Sequence, residues 1–375
     1  MLMINRDVRI PYIRMLRTFH PVGQGAFCSE VFRSKNEQEY AVVYDCGTET
    51  PAANMSSQIT DFANGLDPYN QKIDLLFISH LHHDHISGID ELITKLPPQA
   101  IVLPMLTKSM ILTNRIVNLI SLGRAGIESD NLIQDLYLGN HDGKEDVRRF
   151  DNIIGVAPAD WEVGRNERLY PTGAKSLEEG VCKLVEDWGP FWRYRPFNSV
   201  KTQDERAKRF IEKARQIPGL LVGDTLNVND VWAKKSELRA AYKEAMNSVN
   251  DNLYTLVVES EPLEVVREEK DGSLAGCVYF GDYVPGKDRW NRFRLRVDDY
   301  DEMVGVIQAP HHGGKGNWRN QMLGKNIKHC IVSAGVYNRY QHPNYWVVNE
   351  IENAGVKVRV VSEESASVVK FNYEF

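Results

Sequence analysis

Long hydrophobic runs are missing from this chain: nowhere do about 18 apolar residues follow one another, the length a helix needs to cross a bilayer. The first residues, MLMINRDVRIPYIRMLRTF, are broken by Arg6, Asp7, Arg9, Arg14 and Arg17, so they lack the apolar centre of a secretory signal. Cysteine is scarce: the five residues Cys28, Cys46, Cys182, Cys277 and Cys330 are far apart and form no Cys-x-x-Cys pair. That spacing argues against a disulfide framework and against a structural zinc knot. An excess of positive charge is absent too; the net charge of −6 gives no global reason to attract a phosphate backbone, so any nucleic-acid binding has to be local. Together these absences predict a soluble protein of the reducing cytoplasm, with no membrane partner. Apolar residues at 42% and charged residues at 26% are enough for a folded core, and 375 residues fit one α/β core carrying an elaboration.

Strand patterns dominate both ends of the chain. IRMLRTFHPV, AFCSEVFRS and EYAVVYDCG read as consecutive antiparallel strands. A polar stretch with helical potential follows over about 52–64, then a buried strand, KIDLLFIS, a short helix from Gly88 to Leu96 and a further strand, AIVLP. From 105 to 245 the texture becomes amphipathic and helical, as in KSMILTNRIVNLISLG and DERAKRFIEKARQIPG, and this segment reads as an insertion. Strand and helix signals alternate again from 246 to 375, which argues for a layered α/β sheet with chemistry at strand C-termini.

The feature that asks for chemistry is ISHLHHDHISG, residues 78–88. A single histidine such as His20, His141 or His329 reads as a packing residue, but four imidazoles and a carboxylate within residues 80–85 repel and desolvate one another unless a cation gathers them. His80, His82, Asp84 and His85 form His-x-His-x-Asp-His, in which a tight loop offers two ligands to each of two neighbouring metals. His83 falls outside that set, as a residue supporting the ligands or facing substrate. Other candidates sit at the ends of expected strands: Asp45, Asp282, His311 and His312.

This constellation resembles the metallo-β-lactamase superfamily, and within it the hydrolase domain of the ComEC/Rec2 DNA-uptake proteins. VGQGAF (22–27), NLYTLVV (252–258), APHHGGKGN (309–317) and SAGVYNRYQHPN (333–344) carry the second likeness. Ala26, Gly314 and the Gly316-Asn317 pair depart from that group's pattern at positions where it has Asp, Ser and hydroxyl residues. The resemblance implies an αββα sandwich with a large, mostly helical insertion: core halves at 1–104 and 246–375, and the insertion at 105–245. It implies two divalent metals, zinc or manganese with iron also compatible, held by His80, His82, Asp84, His85, Asp282 and His311, with His312 the alternative to His311; the first metal is left short of a protein ligand, to be completed by water, substrate or Asp251. Asp45 supports the cluster without touching metal. Asp84, Lys315, Asn338 and His342 are the catalytic candidates, the last three for phosphate contacts and proton transfer; Arg339 is a further phosphate contact.

The activity these features imply is hydrolysis by metal-activated water, on a nucleic-acid phosphodiester by preference. A small ester, thioester, lactam or cyclic phosphodiester is the alternative substrate, and a non-catalytic regulatory module the alternative role. WGPFWRYRPFN (188–198) interleaves Trp188, Phe191, Trp192 and Tyr194 with Arg193 and Arg195. It suits either stacking on bases beside phosphates or an edge strand packing its rings inward.

Overall fold

The computed structural model describes residues 12–374 apart from 36–37, 51–52, 70, 124–125, 139–149, 151, 161–167, 172–191, 200, 224, 247–253, 264 and 268–270. The strands in chain order are β1 (Ile13–Phe19), β2 (Gly25–Ser34), β3 (Glu39–Thr48), β4 (Ile73–Phe77), β5 (Pro98–Pro104), β6 (Leu106–Thr107), β7 (Ile153–Val156), β8 (Leu169–Tyr170) and β9 (Trp192–Phe197). They continue with β10 (Leu221–Val222), β11 (Thr225–Leu226), β12 (Val257–Pro262), β13 (Gly276–Tyr279), β14 (Val304–Gln308), β15 (His329–Ser333), β16 (Lys357–Val361) and β17 (Val369–Glu374). Two mixed sheets result, ordered β17-β1-β2-β3-β4-β5-β7 and β16-β15-β14-β13-β12-β9. The first is antiparallel from β17 to β3 and parallel from β3 to β7. In the second, β13 to β16 are parallel.

Alternation explains the face-to-face packing. Val369, Phe371 and Tyr373 of β17 point inward while Lys370, Asn372 and Glu374 are exposed, the period of two of a half-buried strand. The inward residues meet Phe19, Phe77 and Val102 of their own sheet and Leu256, Cys277, Val306 and Ile331 of the other. Each fully buried side chain of this size contributes about 1.5–3 kcal/mol. The outer face of the first sheet is covered by helices that include Ala53–Asn64, Ile89–Lys95 and Lys108–Leu122, and that of the second by Lys287–Arg296 and Tyr345–Asn353. The product is four layers, α/β/β/α. No helix of the described residues is long and apolar enough to cross a membrane.

Segment 105–245 is more than a helical addition. Its helix Lys108–Leu122 is capped by Thr107, whose side chain accepts from the Met110 amide, and buries Ile111, Ile116 and Leu119. The same segment supplies β7 to the edge of the first sheet and β9 to the edge of the second.

A polar contact joins the sheets within their shared core. Arg17 on β1 is fully buried; its Nε donates to Glu30 (2.8 Å) and its Nη1 to the Ala275 carbonyl (2.7 Å). Glu30 also accepts from Tyr279 (2.8 Å), Tyr194 (2.6 Å) and Ser260 (2.7 Å), all from the opposite sheet. Every lone pair of the buried carboxylate thereby has a donor.

Candidate metal centre

The candidate residues gather where β3, β4, β13, β14 and β15 end, at one shared edge of the two sheets. β4 runs out through Ser79 into His80, and the cluster closes into the short helix His83–Ile86. β13 leads to Gly281 and Asp282; β14 leads to His311 and His312. Gly281 has φ +51°, and a Cβ there would lie 2.5 Å from Thr255 Oγ1 and 3.0 Å from both Ser79 Cβ and the Tyr44 hydroxyl of the facing sheet, so no side chain fits here. Among the described residues, four that are not glycine have positive φ: Asp45, His311, His312 and Gln341. All four stand at this edge, where strained backbone is held by its surroundings.

Each inward imidazole is fixed through Nδ1. His80 Nδ1 lies 2.9 Å from Ser79 Oγ, His85 Nδ1 is 2.7 Å from Asp45 Oδ2, and His312 Nδ1 is 2.8 Å from the Ser333 carbonyl. Their Nε2 atoms therefore converge on two carboxylates. His80 Nε2 is 3.3 Å from Asp282 Oδ2, and His85 Nε2 is 3.3 Å from Asp282 Oδ1 and 3.6 Å from Asp84 Oδ2. His312 Nε2 is 2.9 Å from Asp84 Oδ2. The Nε2 atoms of His80 and His85 are buried and make no hydrogen bond, a costly arrangement for a buried polar atom unless it is a ligand. Three ligand groups can be drawn, His80–His82–Asp282, His80–Asp84–His85 and His85–Asp282–His312, each with ligand atoms within 4.8 Å of one another.

The electrostatics agree with a cation site. Burial opposes charge on Asp84, yet His85 and the His312 hydrogen bond hold it well below the usual carboxylate range. Burial is likewise outweighed at Asp282, by His311, His80 and His85. Burial alone would make His85 neutral, but Asp84, Asp45 and Asp282 hold its pKa well above the ordinary imidazole value. Three carboxylates so enclosed favour positive charge, which a divalent cation would supply in place of the imidazole proton. His82 is pushed the other way, to about 3, by burial and by His80, which leaves it a neutral ring with a free lone pair.

Some expectations shift with the geometry. His312, not His311, is brought into the cluster, because the Ser333 carbonyl turns its Nε2 toward Asp84. His311 is partly exposed and 3.9 Å from Asp282; its Nδ1 is held by Asn317 Oδ1 at 2.9 Å. Asp45 accepts from Ser79 and pairs with His85 Nδ1, on the far side of that ring from Nε2. His83 faces away, 3.1 Å from Ser129 Oγ. Asn338, expected to contact phosphate, instead donates to the Gly335 and His342 carbonyls and accepts from the His342 amide. With its amide engaged on both sides, it shapes the loop that presents His342. Lys315 is exposed, with Nζ 5.4 Å from the Trp346 ring. His342 is partly buried at the rim, and burial together with His312 and His311 pushes it down to about 4. Asp251 and His141 lie outside the described residues.

Sequence reasoning passed over Ser79, which links Asp45 to His80, and Asn317, whose Nδ2 also donates to the Asp282 and Tyr283 carbonyls. The serine directly before the histidine motif was the available signal. The Trp192–Phe197 stretch resolves as an edge strand: Trp192 and Tyr194 are buried between the sheets, and Arg193 and Arg195 pair with Glu261, Glu259 and Asp299. Trp188 and Phe191 lie outside the described residues. In the helix Lys201–Arg215, Lys208 pairs with Asp204 and Lys213 with Glu244.

Residues 32–136 match the metallo-β-lactamase superfamily, a span that runs past position 104 and takes in the helices Lys108–Leu122 and Gly126–Tyr137. No curated protein matches. Among solved structures, the chain is similar to a long-form RNase Z from yeast, with 14% identity, 79% of this chain and 32% of that one covered, and a TM-score of 0.30. It is also similar to the metallo-β-lactamase SMB-1 (10% identity, 82% and 83% covered, TM-score 0.30) and to MEM-A1, a subclass B3 enzyme from a soil metagenome library (12%, 81% and 81%, 0.28). The chain thus spans about a third of the RNase Z chain, at 32%, and most of each β-lactamase. The segment similar to the metallo-β-lactamase superfamily carries the histidine cluster at the end of β4, in a chain whose two mixed sheets face each other between helical layers.

Proposed function

We propose that this protein is a metal-dependent hydrolase and that its substrate is a nucleic-acid phosphodiester. The observation that carries the reading is the pair of ligand groups sharing Asp282: His80 and His82 on one side, His85 and His312 on the other. In this reading His80, His82 and Asp282 would hold one divalent cation, and Asp84, His85, His312 and Asp282 would hold the second. Imidazole and carboxylate ligands suit zinc or manganese. Bound there, the cations would supply an activated water and polarise a phosphoryl oxygen.

The remaining tasks fall to the chain. Asp45 keeps the His85 Nδ1 proton in place, so that Nε2 presents its lone pair to the cluster. Ser79 and the Ser333 carbonyl do the same for His80 and His312. Lys315 and Arg339, exposed at the rim, bind phosphate oxygens. His342, neutral at pH 7, donates a hydrogen bond to the leaving oxygen, which takes its proton from water, in a loop that Asn338 positions. The preference for a phosphodiester is supported by that cationic rim and by the likeness of residues 22–27, 252–258, 309–317 and 333–344 to the ComEC/Rec2 hydrolase domain.

The test combines elemental analysis of the purified chain with incubation against labelled single- and double-stranded DNA and RNA. Asp84→Ala is the inactive control. Metal-loaded wild type that cleaves no strand while hydrolysing a small ester overturns the substrate assignment.

A further inference from the structure

The loop from Gly335 to Trp346, at the rim of the metal centre, exposes more aromatic surface than any task assigned so far requires. Tyr337 is 95% exposed, Tyr345 78%, Trp346 42% and Tyr340 39%. Large rings left in water as a group mark a binding surface more often than chance. Their arrangement is ordered. His342 stacks beside His312 with centroids 6.0 Å apart and planes 30° from parallel; Tyr340 stacks beside His342 at 5.7 Å and 24°. The Arg339 guanidinium caps Tyr340 at 4.7 Å, and Lys315 Nζ lies 5.4 Å from the Trp346 ring.

A ladder of near-parallel rings thus leads from His312 in the cluster out to solvent, with cations beside its outer members. The loop that carries it is fixed to the site. Asn338 bonds the turn internally, and the Asn344 amide donates to the Gly313 carbonyl, one residue beyond His312. Glu49 lies 3.4 Å from the Tyr340 hydroxyl and 3.9 Å from Arg339.

We infer that this loop is a stacking platform for unpaired bases, and that the substrate is single-stranded nucleic acid laid across Tyr340, Tyr337 and Trp346 with a phosphate at the His/Asp cluster. The inference rests on the phosphodiesterase reading above and narrows it. In a duplex both faces of each base are covered by neighbours; only an unpaired strand offers π-faces to a protein ring. Stacking also tolerates any base, which suits a hydrolase whose site holds the backbone. Cations set beside rings favour a polyanion with aromatic side groups over an apolar peptide.

The test uses the full metal-loaded chain and fluorescence anisotropy with a fluorescein-labelled oligothymidylate and a hairpin duplex of equal length. The single strand is expected to bind more tightly than the hairpin. Tyr337→Ala, Tyr340→Ala and Trp346→Ala are each expected to weaken strand binding on the order of ten-fold, and Tyr340→Phe, which keeps the ring, is expected to bind as wild type does. Equal binding of strand and hairpin overturns the inference, as do alanine variants with wild-type affinity. So does sedimentation showing the rings buried in a dimer that the same variants dissociate. Wild-type hydrolysis of a p-nitrophenyl nucleotide diester separates the two levels. If the metal-loaded wild type leaves that diester intact, the phosphodiesterase reading itself fails; if it cleaves the diester while ring variants bind strands normally, only the platform fails.

Discussion

Asp45→Asn is the sharpest single perturbation of the centre, because it changes one atom of a residue that is not itself among the proposed ligands. Asp45 is fully buried and accepts three hydrogen bonds of 2.7 Å, from the Ser79 amide, the Ser79 hydroxyl and His85 Nδ1. In the asparagine variant one oxygen becomes an NH2 group facing the His85 Nδ1 proton. The imidazole escapes that clash by moving its proton to Nε2, which removes the lone pair aimed at Asp282 and Asp84. Loss of such a supporting contact costs roughly 10–100-fold in metal affinity, or about 1.4–2.7 kcal/mol. Asp45→Ala should do as much and destabilise the fold as well, since a buried amide and an imidazole N–H lose their acceptor at about 1–3 kcal/mol each. Competition of each variant against a chromophoric zinc chelator measures the affinity directly, and urea unfolding with excess chelator isolates the fold term. An Asp45→Asn protein that holds zinc within about two-fold of wild type would refute the assigned role.

Removing metal with a chelator should lower the thermal midpoint of wild type and leave that of Asp84→Ala nearly unchanged, since a ligand present at about 100 times its Kd adds about 2.7 kcal/mol to the folded state; scanning calorimetry with and without chelator decides. Arg17→Met strands the Glu30 carboxylate between the sheets and should cost about 3–5 kcal/mol by urea unfolding; a cost below about 1 kcal/mol would show that the inter-sheet ion pair is dispensable. Burial first, then Glu261, pushes the Glu259 carboxyl up to about 8 from an ordinary value of 4.5, against the opposing pull of Arg195. The folded state then holds a proton that the unfolded chain releases. This contribution is fully present below about 4.5 and is lost as pH rises through about 8. Glu259→Gln should flatten the decline in stability across that window, measured by denaturant midpoints at stepped pH.

Much of the centre was readable in the sequence because its chemistry is local. Six consecutive positions hold His80, His82, Asp84 and His85, and no packing requirement produces that density of imidazole. Asp45 and Asp282 were legible as carboxylates ending apolar strands. The choice between His311 and His312 was not, because adjacent residues with the same left-handed backbone differ only in partners brought by the fold: Ser333, at the end of a neighbouring strand, and Asn317. The Trp192–Phe197 strand left two readings open for a similar reason. Its alternation of rings and arginines suits a nucleic-acid surface until Glu259 and Glu261, more than sixty residues away, arrive from β12 to accept the arginines' hydrogen bonds. Non-local ion pairing leaves no trace in either stretch taken alone. The exposed rings of the 335–346 loop went unremarked because single surface tyrosines are ordinary; only their stacking on His342 and His312 gives them direction.

The ligand set also implies a mechanical consequence. His80, His82, Asp84 and His85 come from the first sheet, whereas Asp282 and His312 come from the second. Any cation held by both groups is therefore an added cross-link between the sheets. Within the shared core the Arg17–Glu30 contact joins the same two sheets, reaching Tyr279 at the end of β13, three residues before Asp282. Both cross-links act on β13, one from the core and one from the site edge. Weakening the inner one should loosen the placement of Asp282 and so lower metal affinity without touching a ligand. Arg17→Met, assayed by chelator competition at a urea concentration where it stays folded, should bind zinc more weakly than wild type. Unchanged affinity would mean that the Gly281 approach to Thr255 fixes Asp282 by itself.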